Sequence, residues 1–337
     1  TVSIFQSLAF TESHSILVIM MRCRLDFFGL CIVGLACSRS ACALKIHSEE
    51  EHEYYYPPSL QAVMPIEWVH VPKCGTSFVN TLIHIPGFCP GFAEDFVVSA
   101  EAHTLPLGQT DTLGEANFAL HNTTELCNTS TWDTHRIAHH SIDFRPSGGF
   151  NAGKGRFMMF VRQPEQLLLS SYQFYVLAPP MGNPPFTTLT DFIPKREGIV
   201  TKILTRAGPY AGWLTDGGPP TRAEIDEAKL RLQTGFAFIG DTDQWDLSIC
   251  LFNTMFNQVC RPAQFSNSRP SGNKTSRLYD TTVLNGWRDP YDNEVYDVAM
   301  KIFETNLRKF NVSESSCQPC WREAGLQSAK RYIESAR

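Results

Sequence analysis

A lysine, a glycine and two residues with hydroxyl side chains lie close together in sequence, directly after a strand-like segment. In EWVHVPKCGTSFVNTL, Lys73 and Gly75 occupy the turn, and Thr76 and Ser77 begin the helix-like segment after it. Such a turn presents free backbone N–H groups and the positive end of a helix dipole to an anion. The glycine lets a ligand approach closely, although the spacing is not that of the nucleotide-binding loop G-x-x-x-x-G-K-S/T. A phosphate site and a surface turn fit these residues about equally well.

A second basic turn shifts this balance towards a phosphate site. In VRQPEQLLLSSYQFY, Arg162 follows another strand-like run, and Ser170 lies eight positions further on, along a predicted helix. An arginine fork and a serine hydroxyl can together bind a second phosphate group. Two anion sites at neighbouring strand ends predict a ligand with two separate phosphates.

Strand and helix patterns alternate through most of the chain and would bring the two turns together. Short apolar runs predict strands at residues 66–71, 156–161 and 236–240. Helix patterns follow them at residues 77–85, 164–175, 222–233, 243–256 and 289–310. This order predicts an α/β fold in a single domain: a P-loop-like, mainly parallel sheet flanked by helices, with the ligand at the carboxyl ends of the strands.

The N-terminal residues have the pattern of a targeting segment. Arg22 and Arg24 precede an apolar run at residues 27–37, and small residues at 41–43 resemble a signal-peptidase site. The run is shorter than the roughly 20 residues that a membrane span needs. Residues 1–43 are therefore predicted to be an N-terminal extension with a signal peptide. An uncleaved membrane anchor and a buried helix are the alternatives.

A stem and a tail are expected to flank the domain. Residues 44–64 are acidic, rich in tyrosine and broken by Pro57 and Pro58, so they predict a stem. The domain is expected at 65–325 and the tail at 326–337. With 337 residues, 43% of them hydrophobic, the chain can bury a core. A net charge of -5 and the lack of a long basic run argue against nucleic-acid binding.

Cysteines and glycosylation sequons indicate an oxidising compartment. Seven cysteines follow residue 43, an odd number, and Cys74 in the first turn is predicted to be the free one. A metal site at the C-x-x-C motif would need a second half-site, so a disulfide is preferred there. The sequence alone does not fix the connectivity, and the pairs chosen are Cys89–Cys127, Cys250–Cys260 and Cys317–Cys320. N-glycosylation sequons occur at Asn122, Asn128, Asn273 and Asn311.

Taken together, the two turns resemble the paired signature of the Golgi carbohydrate sulfotransferases, especially the heparan sulfate 2-O- and 6-O-sulfotransferase group. HVPKCGTSF is similar to the family's first motif, roughly H-I/V-P-K-x-G-G-T-S/T-F, which binds the 5′-phosphosulfate of 3′-phosphoadenosine 5′-phosphosulfate (PAPS). FVRQPEQLLLSSYQFY is similar to the second, roughly F/V-x-R-D/E-P-x-x-R-x-x-S-x-Y/F, which binds the 3′-phosphate. The resemblance covers about residues 65–310.

The resemblance implies roles for individual residues. The 5′-phosphosulfate would contact Lys73, Cys74, Gly75, Thr76 and Ser77, and the 3′-phosphate would contact Arg162 and Ser170. Lys274 and Arg277 are expected on a loop that closes over the 3′-phosphate, which requires that Asn273 carry no bulky glycan. The first loop is one residue shorter than in the family. In the second motif, Gln163 replaces an acid.

The resemblance also implies a mechanism, in which a sulfuryl group moves in line from PAPS to a glycan hydroxyl without a metal. Lys73 would neutralise charge on the leaving oxygen. A histidine suits the general base that the acceptor hydroxyl needs. In RIAHHSIDF, His140 is the first choice and His139 the second. His70 is expected to be structural.

Other functions fit the sequence less well. A catalytically silent, secreted carbohydrate-binding glycoprotein with the same fold is the main alternative, and both His139 and His140 argue against it because they supply a base. A nucleotide-dependent kinase would need the longer glycine-rich loop and a metal-binding aspartate at a strand end. The acidic overall charge favours a neutral or lightly charged glycan as acceptor. The expected location is the Golgi lumen, with secretion as the alternative.

Overall fold

A computed structural model describes the chain over residues 5–11, 14–21, 31–38, 41–47, 56–98, 127, 142–144, 148–177, 188–207, 218–267 and 278–326. The chain divides into two compact units, Thr1–Tyr55 and Tyr56–Arg337. The second unit contains both basic turns.

The first unit is a four-stranded antiparallel sheet. Its strands follow one another in space as they do in sequence: β1 (Phe5–Thr11), β2 (His14–Met21), β3 (Cys31–Ser38) and β4 (Ala41–His47). The apolar run at 27–37, expected to be the core of a signal peptide, contributes most of its length to β3. No helix among the described residues combines the length and the apolar character that crossing a membrane requires.

The second unit alternates short strands with helices. Its strands are β5 (Glu67–Trp68), β6 (Phe157–Val161) and β7 (Phe236–Asp241). Its α-helices, among the described residues, are α1 (Pro58–Gln61), α2 (Val79–Leu82), α3 (Gly149–Gly153), α4 (Pro164–Tyr172), α5 (Leu189–Arg196), α6 (Ile199–Thr205), α7 (Arg222–Gly235), α8 (Trp245–Phe256), α9 (Asp292–Lys309) and α10 (Glu314–Glu323). A 3-10 helix at Thr76–Phe78 precedes α2, and a π-helical turn at Gln173–Leu177 follows α4.

The three strands of this unit form a parallel sheet with β6 in the centre. All five residues of β6 are buried, as expected for a strand with helices on both faces. The first predicted strand pairs with β6 only at Glu67 and Trp68. The Val69 N–H still donates to the Met158 carbonyl at 2.8 Å before the chain turns away. The predicted α/β fold, with a parallel sheet flanked by helices, is confirmed.

Aromatic side chains fill the core between the sheet and the helices. Phe78 contacts Phe160, Phe238 and Phe252 at ring-centre distances of 5.0, 5.8 and 5.3 Å. All four rings are fully buried, and such pairs add packing energy beyond the apolar area that they bury. Because Phe78 closes the 3-10 helix after the first turn, this cluster fixes that turn to the sheet.

Part of the segment predicted to be a stem packs against the domain. Pro57 precedes α1, whose Leu60 is completely buried in the core. Tyr56 packs on the same core, with its ring centre 5.9 Å from that of Phe88. The compact unit accordingly begins at Tyr56.

Two of the predicted disulfides are wrong. Cys250 is bonded to Cys317, and Cys260 is bonded to Cys320. Cys317 and Cys320 lie three residues apart on α10, so both project from the same side of that helix. The neighbouring helix α8 and the segment after it each supply one partner. Two bonds therefore fasten the C-terminal helix to the core.

The remaining cysteine predictions are confirmed. Cys89 is bonded to Cys127, and Cys74 is a free, buried thiol. The three disulfides of the described residues fit a secretory protein. Asn311, in one of the sequons, is exposed at the end of α9. The other three sequon asparagines lie outside the described residues.

Candidate functional site

A pocket opens at the carboxyl ends of the three parallel strands. Both basic turns and α4 contribute to its wall, with Lys73, Gly75, Thr76, Ser77, Arg162 and Ser170. All six were predicted from the sequence to contact phosphate. The sheet brings them together because parallel neighbouring strands end at the same edge.

The backbone of the first turn takes a conformation that only some residues tolerate. Lys73 and Gly75 both lie in the left-handed region, with φ of 72° and 69°. A Cβ atom at Gly75 would lie 2.8 Å from Cβ of Phe160 and 3.1 Å from the ring of Trp245. Glycine is therefore required here for its backbone conformation and for its lack of a side chain.

Cys74 does not face the pocket, although the resemblance placed it among the ligand-binding residues. Its side chain is fully buried in the core. Its backbone N–H is also used, because it donates to the Val71 carbonyl at 2.9 Å. Burial raises the pKa of the Cys74 thiol to about 12, so the thiol stays protonated. Cys74 lies between Lys73 and Gly75, which both have a left-handed backbone, and its own side chain is directed into the core.

Two aromatic neighbours hold side chains of the first turn. The ammonium group of Lys73 lies 4.1 Å from the centre of the Phe174 ring, in the π-helical turn after α4. The hydroxyl oxygen of Thr76 lies 2.9 Å from Nε2 of His70. His70 was expected to be structural, and this hydrogen bond makes it a support for a residue of the pocket wall.

The second turn carries Arg162 beside an aromatic ring. The guanidinium carbon lies 5.4 Å from the centre of the Tyr279 ring, within the range of a cation–π interaction. Tyr279 is fixed in turn by Gln166: the Gln166 amide donates to the Tyr279 carbonyl at 2.9 Å, and the Tyr279 N–H donates to the Gln166 amide oxygen at 2.7 Å.

The start of α4 is fixed by a network of hydrogen bonds. The Gln163 side chain caps the helix by accepting from the Gln166 N–H at 2.9 Å. Glu165 is buried, and its carboxylate accepts from the Asp289 N–H at 3.0 Å and from the Asn293 amide at 2.9 Å. These bonds tie α4 to the start of α9. Gln163, which stands where the second family motif has an acid, thus has a structural partner of its own.

A buried arginine that the sequence did not single out lies next to the first turn. Nε of Arg196, at the end of α5, donates to the Ser171 hydroxyl at 3.2 Å, and Nη2 reaches the Pro72 carbonyl at 3.5 Å. Burial lowers the pKa of Arg196. The side chain joins the turn after β5 to α4, and no motif marked it because its partners are distant in sequence.

The third strand also contributes to the pocket, and the sequence prediction missed this. Thr242 and Asp243 follow β7 directly and line the wall. The Thr242 N–H donates to the Val161 carbonyl at 2.9 Å, which places it beside Arg162. The Thr242 hydroxyl is buried and has no hydrogen-bond partner among the described residues. The rest of the wall consists of Trp245, Phe265, Ser266 and Asn267.

Asp241, the last residue of β7, is a buried carboxyl group behind this wall. Its oxygens accept from the Asp243 N–H at 3.3 Å and from the Gln244 amide at 3.2 Å. Burial, together with the charge of Asp243, raises the pKa of Asp241 to about 7. Its protonation state therefore changes near neutral pH.

Four predicted site residues lie outside the described residues. They are the candidate bases His139 and His140 and the loop residues Lys274 and Arg277. Within the parts of the chain that the structure does describe, no group of three or more histidine, cysteine, aspartate or glutamate side chains is arranged to hold a metal ion.

Comparison of the chain with protein-family models, with curated proteins and with solved structures finds no match. The case for a function therefore depends on the pocket and on the two motifs.

Proposed function

We propose that the chain is a PAPS-dependent sulfotransferase that transfers a sulfuryl group to a hydroxyl of a glycan. One observation carries the proposal: Lys73 and Arg162, from turns about ninety residues apart, line a single pocket together with Ser170. Two cationic groups at neighbouring strand ends suit a ligand with two phosphates on opposite sides of one sugar. PAPS is such a ligand.

The other residues of the pocket also fit this ligand. Thr242 lines the pocket, and its buried hydroxyl lacks a partner within the described residues. Rotation of the side chain towards the ligand would give that hydroxyl an anionic oxygen as its partner. Trp245 and Phe265 give the wall an apolar part, which suits the uncharged base of a nucleotide.

In the proposed reaction, the acceptor oxygen attacks sulfur as the bond from sulfur to the 5′-phosphate oxygen breaks. The acceptor proton passes to His140, or to His139 as the second choice. Lys73 stabilises the negative charge on the departing phosphate oxygen. The products are the sulfated glycan and adenosine 3′,5′-bisphosphate, so atoms and charge balance.

The disulfides support a site of action in the secretory pathway, because such bonds form and persist in oxidising compartments. We propose the Golgi lumen, where carbohydrate sulfation takes place. The net charge of -5 favours a neutral or lightly charged glycan over a polyanion.

Calorimetric titration tests the two-phosphate site directly. The probes are adenosine 3′,5′-bisphosphate, adenosine 5′-monophosphate and adenosine 3′-monophosphate. We expect the bisphosphate to bind most tightly, Lys73→Met to remove the benefit of the 5′-phosphate, and Arg162→Met to remove that of the 3′-phosphate, each by about 10- to 100-fold.

Lys301 is an exposed lysine on α9, and Lys301→Met is the matched control. Its affinities for the three nucleotides should equal those of the wild type. If the wild type binds all three nucleotides equally, or none of them, the two-phosphate assignment is wrong.

A further inference from the structure

The side chain of Gln166 bonds both backbone polar groups of a residue far away in the sequence. It is buried in the first turn of α4, with 7% of its surface exposed. Its amide donates to the Tyr279 carbonyl at 2.9 Å and accepts from the Tyr279 N–H at 2.7 Å. The two residues are 113 positions apart. This pair of hydrogen bonds holds the Tyr279 backbone as a neighbouring strand would.

Only a side chain with both a donor and an acceptor can form this pair. An arginine has donors alone, and an ionised glutamate has acceptors alone. The backbone of Gln166 is itself held, because its N–H donates to the capping side chain of Gln163 at 2.9 Å. Gln163 therefore holds the backbone of Gln166, and the side-chain amide of Gln166 in turn holds the backbone of Tyr279.

The consequence reaches the pocket through the tyrosine ring. Tyr279 presents its ring to Arg162, whose guanidinium carbon lies 5.4 Å from the ring centre. An arginine binds phosphate best when its planar fork is already oriented, since less side-chain entropy is then lost on binding. A fixed ring beside the guanidinium restricts its orientation.

We propose that Gln166 is a positioning residue for the second phosphate: it fixes Tyr279, and the Tyr279 ring orients Arg162 towards the pocket. This inference deepens the proposed function and depends on it. It assigns to Gln166 and Tyr279 a selective role, the preference for a nucleotide with a 3′-phosphate over one without it.

The test measures this preference as the ratio of the dissociation constants for adenosine 5′-monophosphate and adenosine 3′,5′-bisphosphate. Gln166→Met removes both hydrogen bonds at similar volume, and Gln166→Glu retains the acceptor alone. We expect Gln166→Met and Tyr279→Leu each to reduce the ratio about 5- to 10-fold, with Gln166→Glu in between. Affinity for the monophosphate should stay within about twofold of the wild type.

A double-mutant cycle with Arg162→Met separates positioning from general damage. If Gln166 acts through Arg162, adding Gln166→Met to Arg162→Met should cause little further loss. Gln233→Met, an exposed glutamine on α7, is the control for the substitution itself. Tyr279→Leu tests the same proposal without altering α4, should Gln166→Met fail to fold.

An unchanged ratio in Gln166→Met and Tyr279→Leu overturns the inference and leaves the proposed function intact. Equally weaker binding of both nucleotides in these variants also overturns the inference, because a merely structural role would have that effect. A wild type that binds neither nucleotide overturns the inference and the proposed function together.

Discussion

The ammonium group of Lys73 lies over the ring of Phe174, 4.1 Å from its centre. The two residues belong to the two different motifs: Lys73 follows β5, and Phe174 follows the helix that begins after Arg162. The contact therefore joins the first motif to the second. It also keeps the lysine at the pocket although its backbone takes a left-handed conformation.

We expect Phe174→Leu to weaken binding of adenosine 5′-monophosphate by about 2- to 5-fold, because a cation–π contact that stays partly hydrated is worth about 0.5–1 kcal/mol. Calorimetric titration measures this. Phe310→Leu is the control, since Lys309 lies 5.3 Å from that ring in a part of the fold remote from the two turns. Equal weakening in both variants would show that the Phe174 contact has no specific role.

Gly75→Ala should destabilise the protein by about 2–4 kcal/mol, because left-handed backbone and the short approach to Phe160 both oppose a Cβ atom. Gly286→Ala separates the two causes. Gly286 is also left-handed, with φ of 80°, but nothing lies within 4 Å of a Cβ built there. Gly286→Ala should lower the free energy of unfolding by about 1–2 kcal/mol. Equal losses in chemical denaturation would contradict the steric part of this account.

Thr242→Val should move stability and binding in opposite directions. The substitution removes a buried hydroxyl that has no partner among the described residues, so stability should rise by up to about 1 kcal/mol. Affinity for the bisphosphate should fall by roughly 5- to 20-fold, because the ligand loses a hydrogen bond. Thermal unfolding and titration give the two values.

Thr81→Val is the matched control for this prediction. The Thr81 hydroxyl is also buried without a partner in the described part of the chain, but it lies in α2, outside the pocket wall. Thr81→Val should therefore stabilise the protein and leave affinity unchanged. A loss of affinity in both variants would mean that Thr242 is no ligand contact.

Asp241 should make stability depend on pH. Because its folded-state pKa is raised from 3.8 to about 7, the folded protein retains a proton between these values that the unfolded chain has released. The contribution of this group is complete below pH 3.8 and is lost as pH rises towards about 7, by up to about 1.4 kcal/mol per pH unit. Asp241→Asn should remove this slope from the free energy of unfolding. An unchanged slope would contradict the assignment.

Local patterns were sufficient to predict the strands and helices around the two turns. The apolar run of β6 and the proline that begins α4 both mark their elements in sequence. The sequence also predicted that Lys73 and Arg162 meet at one pocket, because neighbouring parallel strands end at the same edge of the sheet. The helix predicted at 77–85 is shorter, since α2 ends at Leu82 and turns lead from there to Pro86. A proline disfavours the helical conformation in the residue before it, which opposes continuation of the helix to Ile85.

The contributions that the sequence did not reveal depend on distant contacts. Thr242 could have been found, since it follows a predicted strand as Lys73 and Arg162 do. Gln166 with Tyr279, and Arg196 with Pro72, have no local pattern because their partners are more than a hundred residues away. The disulfide partners of α10 likewise depend on how that helix packs against α8.

Transfer of radiolabelled sulfate from PAPS to a panel of purified glycans tests the central claim most directly. We predict labelled product with at least one acceptor, loss of transfer in Lys73→Ala, and a fall in turnover of about 10²- to 10⁴-fold in His140→Ala with PAPS affinity retained. Unchanged turnover in His140→Ala would exclude that residue as the base. Measurable PAPS binding with no labelled product from any acceptor would contradict the enzyme and favour the silent binding module.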